Sequence, residues 1–205
     1  MQYIKLRDAL RGFTVFSLAD IRRVDAKFHR RRLNEWQGKG YIKKVVRGYY
    51  VFSELELGEE AVFEIANRIY QPSYISFEAA LSYYGLIPEI VYGVTSASTR
   101  KTCLLKSGIA NFSYRTIKPP LFFGYNLIRH NGRCFKIAAP EKAILDYLYI
   151  NPQIKNPDDF SSLRINKAKF KEAVDKGVLR AFLGKFAQRA LAQRLKLFLE
   201  AVRHA

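Results

Sequence analysis

The stretch from residue 25 to residue 52 restricts the fold more than any other part of the chain. A basic, helix-periodic run halts at Gly38 and Gly40, and two β-prone runs then flank Gly48. The period of the apolar residues changes from 3.6 to 2 across the glycines, which predicts a helix followed by a hairpin. Upstream, Ile4, Leu6 and Leu10 line a short helix that Gly12 breaks, and Ser17 and Asp20 stand at the spacing of a capping box that opens a second helix. Asp25 is expected to cap the third, running to about Gln37. Helix, turn, helix and basic hairpin over residues 1–52 together predict a winged helix-turn-helix, a fold that places its third helix in the major groove and its hairpin on the backbone or in a neighbouring groove.

At 100° per residue the third helix divides cleanly. His29, Leu33 and Trp36, with Ala26 adjacent, form the side expected to pack, and Lys27, Arg30, Arg31 and Asn34 form a contiguous arc opposite. Arg can pair bidentately with guanine and Asn with adenine, whereas Lys mainly meets phosphate. Lys43, Lys44 and Arg47 place further cations on the hairpin. Double-stranded DNA is therefore the expected partner, and a merely solvated helix face is the alternative. Phe28 and Arg32 lie at the edges of the division. His29 is expected to be packed or half-buried and not a ligand, since no second metal ligand stands at helical spacing.

Charge supports the same division. The 205 residues carry 35 Lys and Arg against 18 Asp and Glu, a net +17. Residues 1–52 hold 13 basic and 4 acidic side chains, residues 53–156 hold 11 and 9, and residues 157–205 hold 11 and 5. The excess sits at the two ends, with an acidic run, Glu54, Glu56, Glu59 and Glu60, at the first boundary. A polyanion partner follows, and 49% hydrophobic residues exclude a disordered basic tail. The expected division is a DNA-binding unit over 1–52 and an α+β unit with helical C-terminal segment over 53–205. No run of 18 apolar residues and no secretory h-region occurs, so a cytoplasmic location with no membrane partner is expected. Cys103, Cys134 and three scattered histidines give no zinc-site spacing and no disulfide framework.

Beyond residue 52 the pattern predicts helices over 58–69 and 76–84, the second capped by Ser76 and stopped by Gly85. Strands are expected over 90–95, 102–106, 111–117, 121–125 and 133–137, then a helix opened by Pro140. Two Asn-Pro steps, at 151–152 and 156–157, mark a loop. A helix over 167–176 should end at Gly177, and one or two more should follow, with Gly184 as a possible break. The hydroxyl-rich stretch 95–102 beside Arg100 and Lys101 reads either as a phosphate cradle or as a strand end and polar turn, the latter favoured. Tyr83, Tyr84, Phe122, Phe123 and Tyr125 read as core before they read as a stacking surface. Glu141 suits a first helical turn, and Lys142 with Asp146 makes an i,i+4 pair in the weaker order. No catalytic triad, nucleophile elbow, P-loop or carboxylate cluster appears, so no catalytic residue, metal or cofactor is expected.

Several segments are also recognisable together. The run PSYISFEAALSYYGLIPE (72–89), the stretch TSASTRKT (95–102), YRTIKP (114–119) with Phe122, Phe123 and Gly124, and APEKAILD (139–146) resemble the AbiEi family, the antitoxins of AbiE-type (type IV) toxin–antitoxin systems. Tyr84 stands where His is common in that family, and Ala97 interrupts its hydroxyl run. The resemblance implies an N-terminal winged helix that represses its own operon at promoter inverted repeats, where a dimer on DNA is the expected form. It further implies that the remainder counteracts a nucleotidyltransferase-like toxin without needing a stable complex. Ser76, Glu78, Thr95, Ser96, Arg100, Lys101, Arg115, Glu141 and Lys142 are the motif positions it singles out. The competing readings are a ligand-sensing winged-helix regulator with no toxin partner, and a nucleic-acid-processing enzyme.

Overall fold

The Ser17–Asp20 capping box forms as the spacing requires: the Ser17 amide donates to Asp20 at 2.8 Å and the Asp20 amide to the Ser17 hydroxyl at 3.3 Å. This is seen in a computed structural model that describes residues 1–88, 93–130 and 132–204. The box opens α2 (Leu18–Val24), which follows α1 (Tyr3–Ala9) and the two-residue strand β1 (Phe16–Ser17). The next helix departs from expectation. Asp25 is extended, its side chain accepts from the Lys27 amide at 3.1 Å and its carbonyl from the Phe28 amide at 2.9 Å, so it closes a turn. Such a local bond competes with helix formation, and α3 (Arg31–Gly38) starts six residues later than Asp25. The turn sends Phe28 into the core against Trp36, ring centroids 5.4 Å apart, and leaves Ala26 and His29 exposed. His29 is therefore exposed and not packed, because the helix whose periodicity would bury it begins only at Arg31.

The hairpin forms as expected from β2 (Ile42–Val46) and β3 (Tyr49–Phe52), turning through Gly48 at φ +90°, and β3 lies central in the order β1-β3-β2. Leu6, Leu10, Phe16, Ile21, Phe28, Leu33, Trp36, Ile42, Tyr50 and Phe52 form a core of their own. Three further side chains of this unit, Val15, Val45 and Val51, are buried instead in the core of the following residues. The bridging element is α4 (Glu59–Ile69): Glu64 accepts from the Thr14 hydroxyl, and Arg68 reaches Asp20 at 2.9 Å with its guanidinium 4.8 Å from the Phe13 ring centroid.

The larger unit is built on a mixed six-stranded sheet, order β6-β7-β5-β4-β9-β8. Its strands are β4 (Ser73–Ile75), β5 (Val94–Ser98), β6 (Cys103–Lys106), β7 (Asn111–Thr116), β8 (Tyr125–His130) and β9 (Arg133–Ala138). The β4–β9 and β5–β7 pairs are parallel and the rest antiparallel. Strand β4 escaped the sequence reading because three residues buried on both faces show no alternation. Of the strand expected over 121–125, Leu121 ends a 3-10 turn (Pro119–Leu121), 122–124 form a loop with Gly124 at φ +69°, and only Tyr125 is extended, as the first residue of β8. Of the strand expected over 90–95, residues 90–92 lie outside the described residues; β5 begins at Val94 and extends to Ser98. At Gly93, φ +127°, an added Cβ would lie 2.4 Å from the Asn111 carbonyl oxygen, so only glycine fits where this strand enters the sheet.

Two helices, α5 (Phe77–Tyr83) and α6 (Pro140–Ile150), follow β4 and β9 and pack together. A 3-10 segment (Pro157–Leu163) precedes α7 (Lys167–Ala173), α8 (Lys176–Phe186) and α9 (Arg189–His204). Gly177 does not end α7. Asp175 caps α8 by accepting from the Gly177 and Val178 amides at 2.6 and 2.9 Å, which places that glycine in the first turn of α8. The later break falls at Ala187, φ +49°, and Gly184 stays helical. Among the described residues no helix is long and apolar enough to cross a membrane.

Candidate nucleic-acid interface

The buried face of α3 fixes what its other face can do. Leu33 and Trp36 point into the core, and Arg31 and Asn34 are exposed. Arg30 stands at the N-cap position and Lys27 on the preceding turn, both exposed, so the four residues assigned to one helical arc are divided between a turn and a helix. Arg32 turns the other way and donates to the Met1 carbonyl, which settles its place at the edge of the division. On the hairpin, Lys43, Lys44 and Arg47 are exposed. Lys43 and Lys44 are both exposed in regular register with Val51 and Tyr50, and Val45, at the register shift between Lys44 and Val46, is buried. β2 is an edge strand, so these lysines also discourage pairing with another chain. Among the described residues none of the seven side chains forms an internal ion pair or side-chain hydrogen bond, leaving six cations and one amide facing solvent without a protein partner.

The motif residues of the second unit behave differently. Lys142 and Asp146, one turn apart on α6, are fully buried together with Tyr74 and Ser76. The Lys142 ammonium pairs with Asp146 and donates to the Tyr74 hydroxyl at 2.9 Å. Tyr74 and Ser76 each donate to the second carboxylate oxygen at 2.8 Å. Phe123 and Phe186 close over the ammonium, ring centroids 5.1 and 5.0 Å away. Burial pulls Lys142 below the ordinary lysine range, against the pull of Asp146. Burial likewise pushes Asp146 up, opposed by Lys142 and by the hydrogen bonds of Tyr74 and Ser76, and burial with the adjacent carboxylate raises Tyr74.

Because the Ser76 hydroxyl serves Asp146, it does not cap α5, although it stands at the N-cap. Thr95 replaces it, accepting from the Ala79 amide at 3.0 Å and donating to the Ser76 carbonyl at 2.7 Å. Phe77, first in α5, is held at φ +57°, a conformation costing a non-glycine residue about 1–3 kcal/mol. Glu141 does lie in a first turn, and its carboxylate also accepts from the Asp175 amide at 2.7 Å, tying α6 to the start of α8.

The hydroxyls of 95–102 form no phosphate cradle. Ser96 and Ser98 are buried in the sheet, Ser98 donates to the Pro72 carbonyl at 2.6 Å, and Thr102 meets Thr116 at 3.1 Å. Arg100 lies over the Tyr70 ring at 4.2 Å and donates to the Gln71 carbonyl at 3.1 Å; Lys101 and Arg115 are exposed, and Glu78 is half-buried. The aromatics pack as core: Tyr74 meets Phe122 and Tyr125 at 5.0 and 5.1 Å, and Phe63 and Phe135 meet Tyr83 at 5.9 and 6.0 Å. Nine motif positions thus divide into side chains that tie the fold (Ser76, Glu141 and Lys142, buried, and Thr95, half-buried), a buried Ser96 whose hydroxyl has no hydrogen-bond partner, and more accessible groups (Glu78, Arg100, Lys101, Arg115).

Asp146 is the hub of the buried centre and was not among the motif positions. Its sequence signals are its place at the end of the 139–146 segment and the i,i+4 relation to Lys142, which on an exposed helix is a minor pair. Among the described residues no three of His, Cys, Asp or Glu gather as a metal site. No family model matches the chain, and no curated protein matches it.

Proposed function

We propose that the protein is a non-enzymatic, DNA-binding antitoxin of the AbiE type that represses its own operon. In this reading residues 1–52 are a winged helix-turn-helix. Arg30, Arg31 and Asn34 read base edges, and Lys27, Lys43, Lys44 and Arg47 meet phosphates. The observation that carries it is the set of outward cations on α3, its leading turn and the hairpin, none neutralised internally among the described residues. Cations left without a protein counter-charge displace counterions from DNA when they bind, and this term supplies most of non-specific affinity. The antitoxin half of the proposal rests on the resemblance of 72–89, 95–102, 114–124 and 139–146. Since Ser76, Glu141 and Lys142 are occupied in holding the fold together, protection is assigned to the exposed surface those residues support.

The test is a promoter shift assay with the double variant Arg30→Ala, Arg31→Ala. Loss of two base contacts should cost about 2–6 kcal/mol. Wild-type affinity should fall with salt at about 0.9 log units per neutralised phosphate and tenfold salt increase. Unchanged promoter affinity in the double variant would sink the assignment. At matched expression the same variant should still rescue cells from the toxin. A winged-helix regulator with no toxin partner predicts the promoter binding and no rescue.

A further inference from the structure

The edge of a β-sheet offers unpaired amides and carbonyls to any strand that reaches it, and folded chains guard such edges with lysines, prolines, bulges or short strands. Among the described residues the two sheets have four edge strands, and three of them are guarded. β1 is two residues long, and β2 carries Lys43, Lys44 and a register shift. β6 is four residues long, with Lys101 just before it and Lys106 at its end. The fourth, β8, runs for six residues in unbroken register with β9 and holds no lysine, proline or bulge. Leu127, near its middle, is 56% exposed, and Asn126 and Arg129 are exposed beside it.

The ladder with β9 shows which backbone groups β8 leaves open. The Ala139 amide donates to the Gly124 carbonyl at 2.9 Å, one step before the Tyr125–Ala138 pair. Bonded and non-bonded pairs alternate along an antiparallel ladder, so Asn126 and Ile128 turn their amides and carbonyls to β9, and Tyr125, Leu127 and Arg129 turn theirs to the open edge. The side chains of these same three residues share one face of the sheet. An antiparallel strand of the same sequence, related by a two-fold axis through Leu127, matches all of them. Leu127 then pairs with Leu127 of the second copy, and Tyr125 with Arg129 of the second copy. Each arginine faces a tyrosine ring, a favourable cation–π partner, and not the other arginine, and the two leucines cover each other on the axis. A slip of one residue sets open groups against occupied ones, and a slip of two residues loses one of the bonded pairs. We propose that β8 is a dimerisation edge, through which two copies of this chain pair antiparallel about Leu127 and join their six-stranded sheets into one. No residue of 1–52 takes part, so the inference stands apart from the DNA-binding reading. One strand edge buries less than the roughly 1,200–2,000 Å² of a standard interface, so the association is weak and depends on concentration.

Sedimentation velocity of the full-length protein without DNA measures it, at about 0.5 M salt so that traces of nucleic acid do not bridge two copies. The mass should pass from monomer toward dimer between about 1 μM and 1 mM. Leu127→Pro removes an N–H that β9 does not use, so β8 keeps its ladder while the open edge loses its central donor, and dimerisation should weaken at least about tenfold. A second readout does not need the proline to be tolerated. With Cys103 and Cys134 replaced by serine, Leu127→Cys places its Cα about 5.5 Å from that of the second copy, inside the range a disulfide spans. Leu104→Cys, at a position 59% exposed on the guarded edge β6, is the matched control for random collision. Under mild oxidation Leu127→Cys should cross-link at least about tenfold faster than Leu104→Cys. The proposal is overturned if the protein stays monomeric throughout this range, if a folded Leu127→Pro dimerises as the wild type does, or if the two cysteine variants cross-link at the same rate.

Discussion

The Lys142–Asp146 pair turns on the difference between removing one partner and removing both. Within α6 every residue from Glu141 to Asp146 is buried, so both charges are out of water and depend on each other, on Tyr74 and on Ser76. Asp146→Ala leaves a buried ammonium without its counter-charge and two hydroxyls without an acceptor, and should cost about 3–5 kcal/mol in urea unfolding. The double replacement Lys142→Met, Asp146→Leu leaves no stranded charge and should cost less than the single one. A double variant less stable than Asp146→Ala would show that the ionic centre contributes beyond mutual compensation. The i,i+4 spacing was legible in the sequence, but burial was not. A helix covered on all sides has no polar face, and hydrophobic periodicity reports only the contrast between faces.

Element by element, local chemistry was readable wherever one side chain decided the outcome. The capping box of α2, the Pro140 start of α6 and the Gly48 turn involve neighbours a few residues apart, and each formed as its spacing implied. Asp25 and Ser76 depart from the capping roles their positions imply for one shared reason: a short polar side chain has several backbone and side-chain partners within reach, and distant packing chooses among them. Helix α4 joins the two units by way of Asp20. Burial pushes this carboxyl up, but hydrogen bonds from the Ser17 hydroxyl and amide and from Arg68 outweigh it and hold the group below the usual carboxylate range. The stabilisation is accordingly complete above the unfolded value near about pH 4 and is lost as pH falls through the lower folded value. Asp20→Asn should therefore be less stable than wild type at neutral pH, and the gap should close on acidification below about pH 4. A gap that is independent of pH would place the stabilisation in shape and not in charge.

At the scale of the whole molecule the +17 is not one surface. The six outward cations of α3, its leading turn and the hairpin have no internal counter-charge among the described residues, whereas Arg7 and Arg23 are paired with Glu54 and Asp20. Part of the C-terminal excess, by contrast, is structural: Arg194 donates to the Leu148 carbonyl at 2.9 Å, Lys167 reaches the Arg203 carbonyl, and Lys185 lies 4.6 Å from the Phe123 ring centroid. Because Val15, Val45 and Val51 are buried in the core of residues beyond 52, the first unit should not unfold alone. Thermal unfolding followed by fluorescence of Trp36, the single tryptophan, should coincide with the far-UV circular dichroism transition of the chain. Two separated midpoints would mean that the units are energetically independent.

The sequence by itself determined the short-range features: the three helices and hairpin of residues 1–52, the α+β character of the rest, and the division of charge between ends and middle. These follow from propensities, caps and periodicities that act over a few residues. Only the tertiary structure decided that the hydroxyls of 95–102 turn inward, that Ser76 serves Asp146 in place of its own helix, and that β8 ends the larger sheet as an open edge. Each depends on groups distant in the chain, whose meeting is set by the packing of β4, β5, α6 and β9 and leaves no periodic trace in the sequence.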